Sequence, residues 1–194
     1  ETIRINLCIA DGADPETAAQ ITDRFQHDAT ADLTLRLDES GLALLSDDQM
    51  LQGDFTRMLP RLKHHNLTGE LLVRAAKIKD ADHELLAVDA TAGLGEDSLL
   101  LAAAGFHVKL FEKNPVIFEL LRDTLRRAAD IPELSEIVAR MEVRNADSIE
   151  AMADLGFTPD VILLDPMFPE RRKSALVKNK LQMIQKLEFP CVDE

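Results

Sequence analysis

The chain has 194 residues, 46% of them hydrophobic, enough to close a core in one domain or in one domain with a small appendage. Two cysteines, Cys8 and Cys191, make neither a disulfide framework nor a metal-ligand cluster. The net charge of −13 argues against attachment to nucleic acid by overall charge, because phosphate neutralisation by Lys and Arg supplies most nonspecific affinity.

Residues 1–50 carry a pattern of their own. Ile3 to Ala10 alternates as a strand does, Pro15 to Phe25 reads as a helix capped by Asp14, and Leu33 to Leu45 reads as two strands around Glu39-Ser40-Gly41. This predicts a small α+β appendage. Residues 51–84 follow as a linker bordering the site: 51–68 lack periodicity but carry Arg57, Arg61, Lys63, His64 and His65, and Leu71 to Ile78 predicts a short amphipathic helix.

Residues 85–194 alternate strand and helix. Strands are predicted at Leu85–Asp89, Val108–Glu112, Glu142–Asn145 and Val161–Asp165. Helices are predicted at Asp97–Ala104, Pro115–Ala128 with Asn114 as cap, Leu134–Arg140 and Ser148–Leu155. Such an order implies an α/β fold with a parallel, doubly wound sheet. The apolar run Val161–Leu164 suits a strand covered on both faces and stops on Asp165-Pro166-Met167-Phe168-Pro169. A last helix over about 174–187 is expected to lead into a further strand, and the sequence ends instead.

The chemistry is expected at the carboxyl ends of these strands. Asp89 closes the first strand, and Gly93 and Gly95 permit a tight turn into a helix whose amides face a ligand. Ordinary turns also use glycine; the order strand, D-x-x-x-G-x-G, helix favours a nucleotide-type cofactor site. Glu112 ends the second strand 23 positions after Asp89, near the spacing at which an acidic residue reaches ribose hydroxyls, or it is a solvent-facing strand end. Asn145-Ala146-Asp147-Ser148 offers an acceptor for an adenine amino group, or a helix cap.

Taken together, D-A-T-A-G-L-G-E-D, F-E-K-N-P, N-A-D-S and L-D-P-M-F-P resemble the class I S-adenosylmethionine-dependent methyltransferases. The longer match D-P-M-F-P-E-R-R-K-S-A-L-V-K, with D-A-T-A-G-L-G, resembles the bacterial small-subunit ribosomal RNA guanine-N2 methyltransferase J family. The resemblance implies a Rossmann-like fold that continues through further strands, S-adenosylmethionine as cofactor and a guanosine of 16S ribosomal RNA as substrate. By the same resemblance Glu96, Asp97, Glu112, Lys113, Asp147, Ser148 and Asp165 line the cofactor site. Guanine N2 is a poor nucleophile, and acceptors for its two N–H groups, the Asp165 carboxylate and the Pro166 carbonyl, hold it in line with a sulfonium methyl. Phe168 offers a stacking face for an extruded base, or anchors a core; Asp165 has the alternative of a capping or ion-paired role.

Charge distribution bears on the partner. Residues 1–50 hold 3 Lys/Arg against 11 Asp/Glu, whereas 166–187 hold 6 against 1. Arg171, Arg172, Lys173 and Lys178 therefore read either as a local RNA grip, with Arg57, Arg61 and Lys63 as the opposite wall, or as a solvated helix face. The five histidines show no H-E-x-x-H pattern, so no metal is expected. No apolar run approaches the roughly 20 residues that span a bilayer, and a soluble, cytoplasmic protein is expected. Two rival readings remain at this level: an NAD dehydrogenase, which leaves D-P-M-F-P without a task, and a noncatalytic cofactor-binding module docking on RNA during ribosome assembly. Methylation of another amine, such as adenine N6, is the nearer alternative.

Overall fold

The computed structural model describes residues 3–46, 49–79 and 81–165. They divide into two units, one ending at Gly53 and the other beginning at Asp54. Pro166, Phe168, Arg171, Arg172, Lys173, Lys178 and the helix expected over 174–187 lie outside the described residues.

The first unit is the expected α+β element. Strands β1 (Arg4–Ile9), β2 (Gln26–His27), β3 (Thr34–Asp38), β4 (Gly41–Ser46) and β5 (Gln49–Leu51) form one sheet in the order β2-β1-β3-β4-β5. Helix α1 (Pro15–Arg24) starts where Asp14 Oδ1 accepts from the Thr17 amide at 2.8 Å, with Pro15 pre-set for the first turn. The β3–β4 hairpin pairs Asp38 with Gly41, leaving Glu39-Ser40 as a two-residue loop. Gly41 has φ +104°, which a side chain would oppose. Period-2 alternation puts Leu35 and Leu37 into the core with Ile5, Ile21, Leu42 and Leu44.

The second unit holds strands β6 (Leu86–Asp89), β7 (His107–Glu112), β8 (Met141–Asn145) and β9 (Val161–Leu163), all parallel, in the order β8-β7-β6-β9. The chain steps outward from β6 through β7 to β8 and then returns to the other side of β6. The order therefore reverses at the β6–β9 boundary, which is where open α/β sheets form a crevice at their carboxyl ends. Helices α5 (Glu96–Ala103), α6 (Pro115–Ala129), α7 (Pro132–Val138) and α8 (Ser148–Met152) occupy the connections. Asn114 caps α6, accepting from the Val116 amide at 2.9 Å, and Pro115 stands at its first position. Beyond its acidic first turn, helix α5 is packed into the core. Leu99, Leu100 and Leu101 are all buried, each contributing roughly 1.5–3 kcal/mol.

Two expectations need correction. The segment read as a linker over 51–68 is built of a 3-10 turn (Phe55–Met58) and two single-turn helices, α2 (Leu59–Leu62) and α3 (His64–Leu67), followed by α4 (Leu71–Ala75). Its Phe55, Met58 and Leu67 join the core around Leu99 and Leu110. One-turn helices cannot display a 3.6-residue period, so the pattern was hidden in the sequence. The strand expected to be covered on both faces has Ile162 54% and Leu164 64% exposed, two residues that share one face by the period of two. Among the described residues no helix is long and apolar enough to cross a membrane.

Candidate functional site

The carboxyl ends of β6, β7, β8 and β9 converge on one edge. Asp89, the last residue of β6, is 2% exposed, and both of its carboxylate oxygens are engaged. Oδ1 accepts from the Thr91 amide at 3.0 Å and Oδ2 from Ser98 Oγ at 2.6 Å. Burial pushes this carboxyl above the ordinary range, the Ser98 and Thr91 donors pull it back, and the charges of Asp97 and Asp165 push it up again. Asp89 is thus a buried brace between the strand end and α5, a role in which it supports the turn from within.

Between them the glycines divide two tasks. Gly95 has φ +76° and caps α5; a Cβ there would stand 2.7 Å from Leu121 Cδ1 and 3.4 Å from Phe55 Cζ. This glycine is required for packing. Gly93 has φ +52° and nothing within 4 Å of where its Cβ would be, so the backbone there lies open to close approach. The turn is closed by the Gly95 amide on the Ala92 carbonyl at 2.8 Å and tied to β7 by the Ala92 amide on the Phe111 carbonyl at 3.1 Å.

Glu112 ends β7 and reaches back to that turn. Its Oε2 accepts from the Gly93 amide at 2.9 Å, and its Oε1 accepts from the Asn114 amide at 2.7 Å. Its main-chain carbonyl accepts from Asn145 Nδ2 at 2.7 Å and from the Ala146 amide at 3.2 Å, which fastens the end of β8 to the end of β7. Asp147 caps α8, accepting from the Ile149 amide at 2.9 Å, and pairs with Lys113 Nζ at 2.9 Å. The Lys113 partner and the capped amide hold its carboxyl below the usual range. Ser148 is the first residue of α8.

Glu96 and Asp97 occupy the exposed first turn of α5. Although Asp97 keeps solvent contact, the packing around it desolvates its carboxyl and raises its pKa; Asp165 and Glu96 push the same way and Arg61 opposes them. At the end of the β9 segment Asp165 is exposed, and its amide donates to Thr91 Oγ1 at 2.8 Å. The structure thus gathers Asp89, Gly93, Gly95, Glu96, Asp97, Glu112, Lys113, Asp147, Ser148 and Asp165 along one edge.

Of the three cations expected on the opposite wall, two are engaged with carboxylates. Arg61 makes a two-pronged pair with Glu70, Nε and Nη2 each at 2.8 Å, and Arg57 pairs with Asp54 at 3.2 Å. Lys63 is exposed between α2 and α3. Sequence reasoning missed Thr91 and Ser98. They follow the buried Asp89 by two and nine positions, and a short hydroxyl after a strand-end carboxylate was the available signal. A separate concavity of about 380 Å³, lined by His107, Lys109, Arg140 and Phe157, opens at the amino ends of the strands, away from this edge.

A parallel sheet whose order reverses beside a glycine turn, with carboxylates at successive strand ends, defines a nucleotide-type cofactor-binding domain. Residues 19–188 match the family described as "Putative SAM-dependent methyltransferase". The chain is 38% identical over 196 residues to the ribosomal RNA small subunit methyltransferase J of Proteus mirabilis, a match covering 94% of this chain and 78% of the relative. It is 39% identical over 166 residues to the protein of that name from Acinetobacter baumannii strain ACICU, covering 80% of this chain. The match spans 58% of the Acinetobacter protein's length. A crystal structure of a SAM-dependent methyltransferase from Neisseria gonorrhoeae superposes with a TM-score of 0.71 at 27% identity, covering 84% of this chain and 70% of that one. The chain belongs to the ribosomal RNA small subunit methyltransferase J family of SAM-dependent methyltransferases.

Proposed function

We propose that the chain binds S-adenosylmethionine along the carboxyl edge of β6, β7 and β8 and methylates the N2 amine of a guanosine in small-subunit (16S) ribosomal RNA. The residues present suit that cofactor. An ionised carboxylate carries roughly four acceptor positions. Glu112 can therefore orient the turn and accept from ribose hydroxyls at once. Gly93 leaves the backbone open to approach, and Asp147 and Ser148, at the cap and start of α8 after β8, are the groups this reading assigns to the base. When bound, the cofactor supplies an electrophilic methyl group on a sulfonium.

The chain's own groups orient the acceptor. The Asp165 carboxylate, and the Pro166 carbonyl that follows it in sequence, accept from the two N–H groups of the amine and favour a more tetrahedral nitrogen, leaving its lone pair aimed at the methyl group. Phe168 stacks on the extruded base. The single observation that carries this reading is the Asp165 amide held on Thr91 at 2.8 Å, which sets the start of the D-P-M-F-P segment beside the glycine turn. Family membership supports the choice of substrate.

Arg171, Arg172, Lys173 and Lys178 grip the RNA locally, and Lys63 offers a further exposed cation. The work is placed in the cytoplasm, where ribosomal RNA is modified. Ribosomal RNA from cells with and without the gene, digested and compared by mass spectrometry, tests the proposal. Loss of one N2-methylguanosine is expected, and an unchanged nucleoside profile overturns it.

A further inference from the structure

We infer that Thr91 is a positioning residue for methyl transfer: its hydroxyl fixes the main chain at Asp165 and so refers the amine-holding segment to the cofactor-holding turn. The inference rests on the function proposed above. The last sheet bond between these segments is the Ala90 amide on the Leu163 carbonyl at 2.9 Å. Two residues further on, main-chain pairing has given way to a side chain, and Thr91 Oγ1 accepts from the Asp165 amide at 2.8 Å.

Thr91 is itself held. Its amide donates to Asp89 Oδ1 at 3.0 Å, and Asp89 Oδ2 accepts from Ser98 Oγ at 2.6 Å. Asp89 is 2% and Ser98 0% exposed, so this brace is anchored in the core through α5. A β-branched side chain has few χ1 options, which makes the Thr91 oxygen a stiff acceptor. Asp165 is exposed, so no burial of its own side chain fixes it. A misplacement of about 1 Å between reacting groups costs on the order of 100-fold in rate, so one hydrogen bond at this point bears on turnover out of proportion to its strength. Thr91 makes and breaks no covalent bond.

The test compares Thr91→Val, which keeps the shape and removes the acceptor, with Thr91→Ser, which keeps the acceptor. Amide exchange at Asp165, followed by NMR in the full chain, reads the contact without reference to the reaction. Exchange about tenfold faster in Thr91→Val and near the parent rate in Thr91→Ser is expected. Single-turnover methyl transfer to small-subunit RNA is expected to slow about fivefold or more in Thr91→Val, with S-adenosylmethionine affinity within about twofold and recovery in Thr91→Ser. Equal exchange in all three proteins overturns the contact. Altered exchange with an unaltered transfer rate, or a loss shared equally by cofactor affinity and rate, overturns the positioning role. A parent chain that methylates no guanosine overturns the proposed function, and Thr91's role with it, while the exchange data still decide whether the contact exists.

Discussion

Glu112 Oε2 accepts a hydrogen bond from the Gly93 amide at 2.9 Å, across 19 positions of sequence. The acidic strand end expected to meet ribose hydroxyls thus also shapes the glycine turn beside it. Glu112→Ala is expected to weaken S-adenosylmethionine binding by about 1.5–3 kcal/mol, as a charged hydrogen-bond partner disappears. It should also lower the thermal midpoint, because the Gly93 and Asn114 amides lose their acceptor. Calorimetry on the variant checks the first effect and thermal unfolding the second; unchanged affinity would remove Glu112 from the site.

The two glycines of the turn separate stability from binding. Gly95→Ala forces a Cβ to 2.7 Å from Leu121 Cδ1 at φ +76°, and a loss of about 2–4 kcal/mol is expected from overpacking and left-handed strain together. Gly93→Ala meets open space, so the strain alone, about 1–2 kcal/mol, falls on stability. The new methyl group then obstructs approach to the backbone. Denaturant unfolding with parallel cofactor titrations should find Gly95→Ala the less stable protein and Gly93→Ala the weaker binder relative to its stability.

Asp165→Ala should nearly abolish methyl transfer while moving the thermal midpoint by no more than about 2 °C. Its main-chain amide, which alanine retains, makes the contact to Thr91, and its carboxylate is exposed, where substitutions usually cost within about 0.5 kcal/mol. A large stability loss with a proportionate loss of rate would assign Asp165 a structural role instead.

His83 gives a pH dependence of known sign. Its Nε2 lies 2.8 Å from Asp160 Oδ1, and Asp160 in turn accepts from the Leu86 amide at 2.8 Å at the start of β6. The Asp160 and Asp82 carboxylates raise the His83 pKa above its ordinary value. A raised imidazole pKa contributes stability that is full below the unfolded value of about 6.5 and disappears as pH climbs through the folded value. The midpoint difference between parent and His83→Gln is therefore expected to shrink as pH rises from about 6 to about 8. A difference that grows over that interval would show that the pair does not act through the charged imidazole.

How much of this was legible in the sequence differs by element. The β6–β8 half was readable because α6 and α7 begin at a proline and α8 at a capping Asp147, and the strands are short apolar or alternating runs. The glycine turn and acidic strand ends were readable for the same local reasons. The segment around Phe55 and Leu67 was not, since helices of four residues show no period and their burial depends on α5 being in place. Nor was the bracing of Gly93 by Glu112 or of Asp165 by Thr91, because both contacts join strand ends that only the sheet order β8-β7-β6-β9 brings together. Arg61 read as part of an RNA-facing wall, and its fork on Glu70, nine positions away, was not legible in the sequence.

The most direct measurement of the central claim is methyl transfer from labelled S-adenosylmethionine to small-subunit ribosomal RNA, followed by nucleoside digestion and mass spectrometry. A matched RNA in which the methylated guanosine is replaced by inosine, which lacks N2, serves as the control. The expected result is label in N2-methylguanosine alone and none in the inosine RNA. Transfer to another nucleoside, equal transfer to the inosine RNA, or no transfer at all would contradict it.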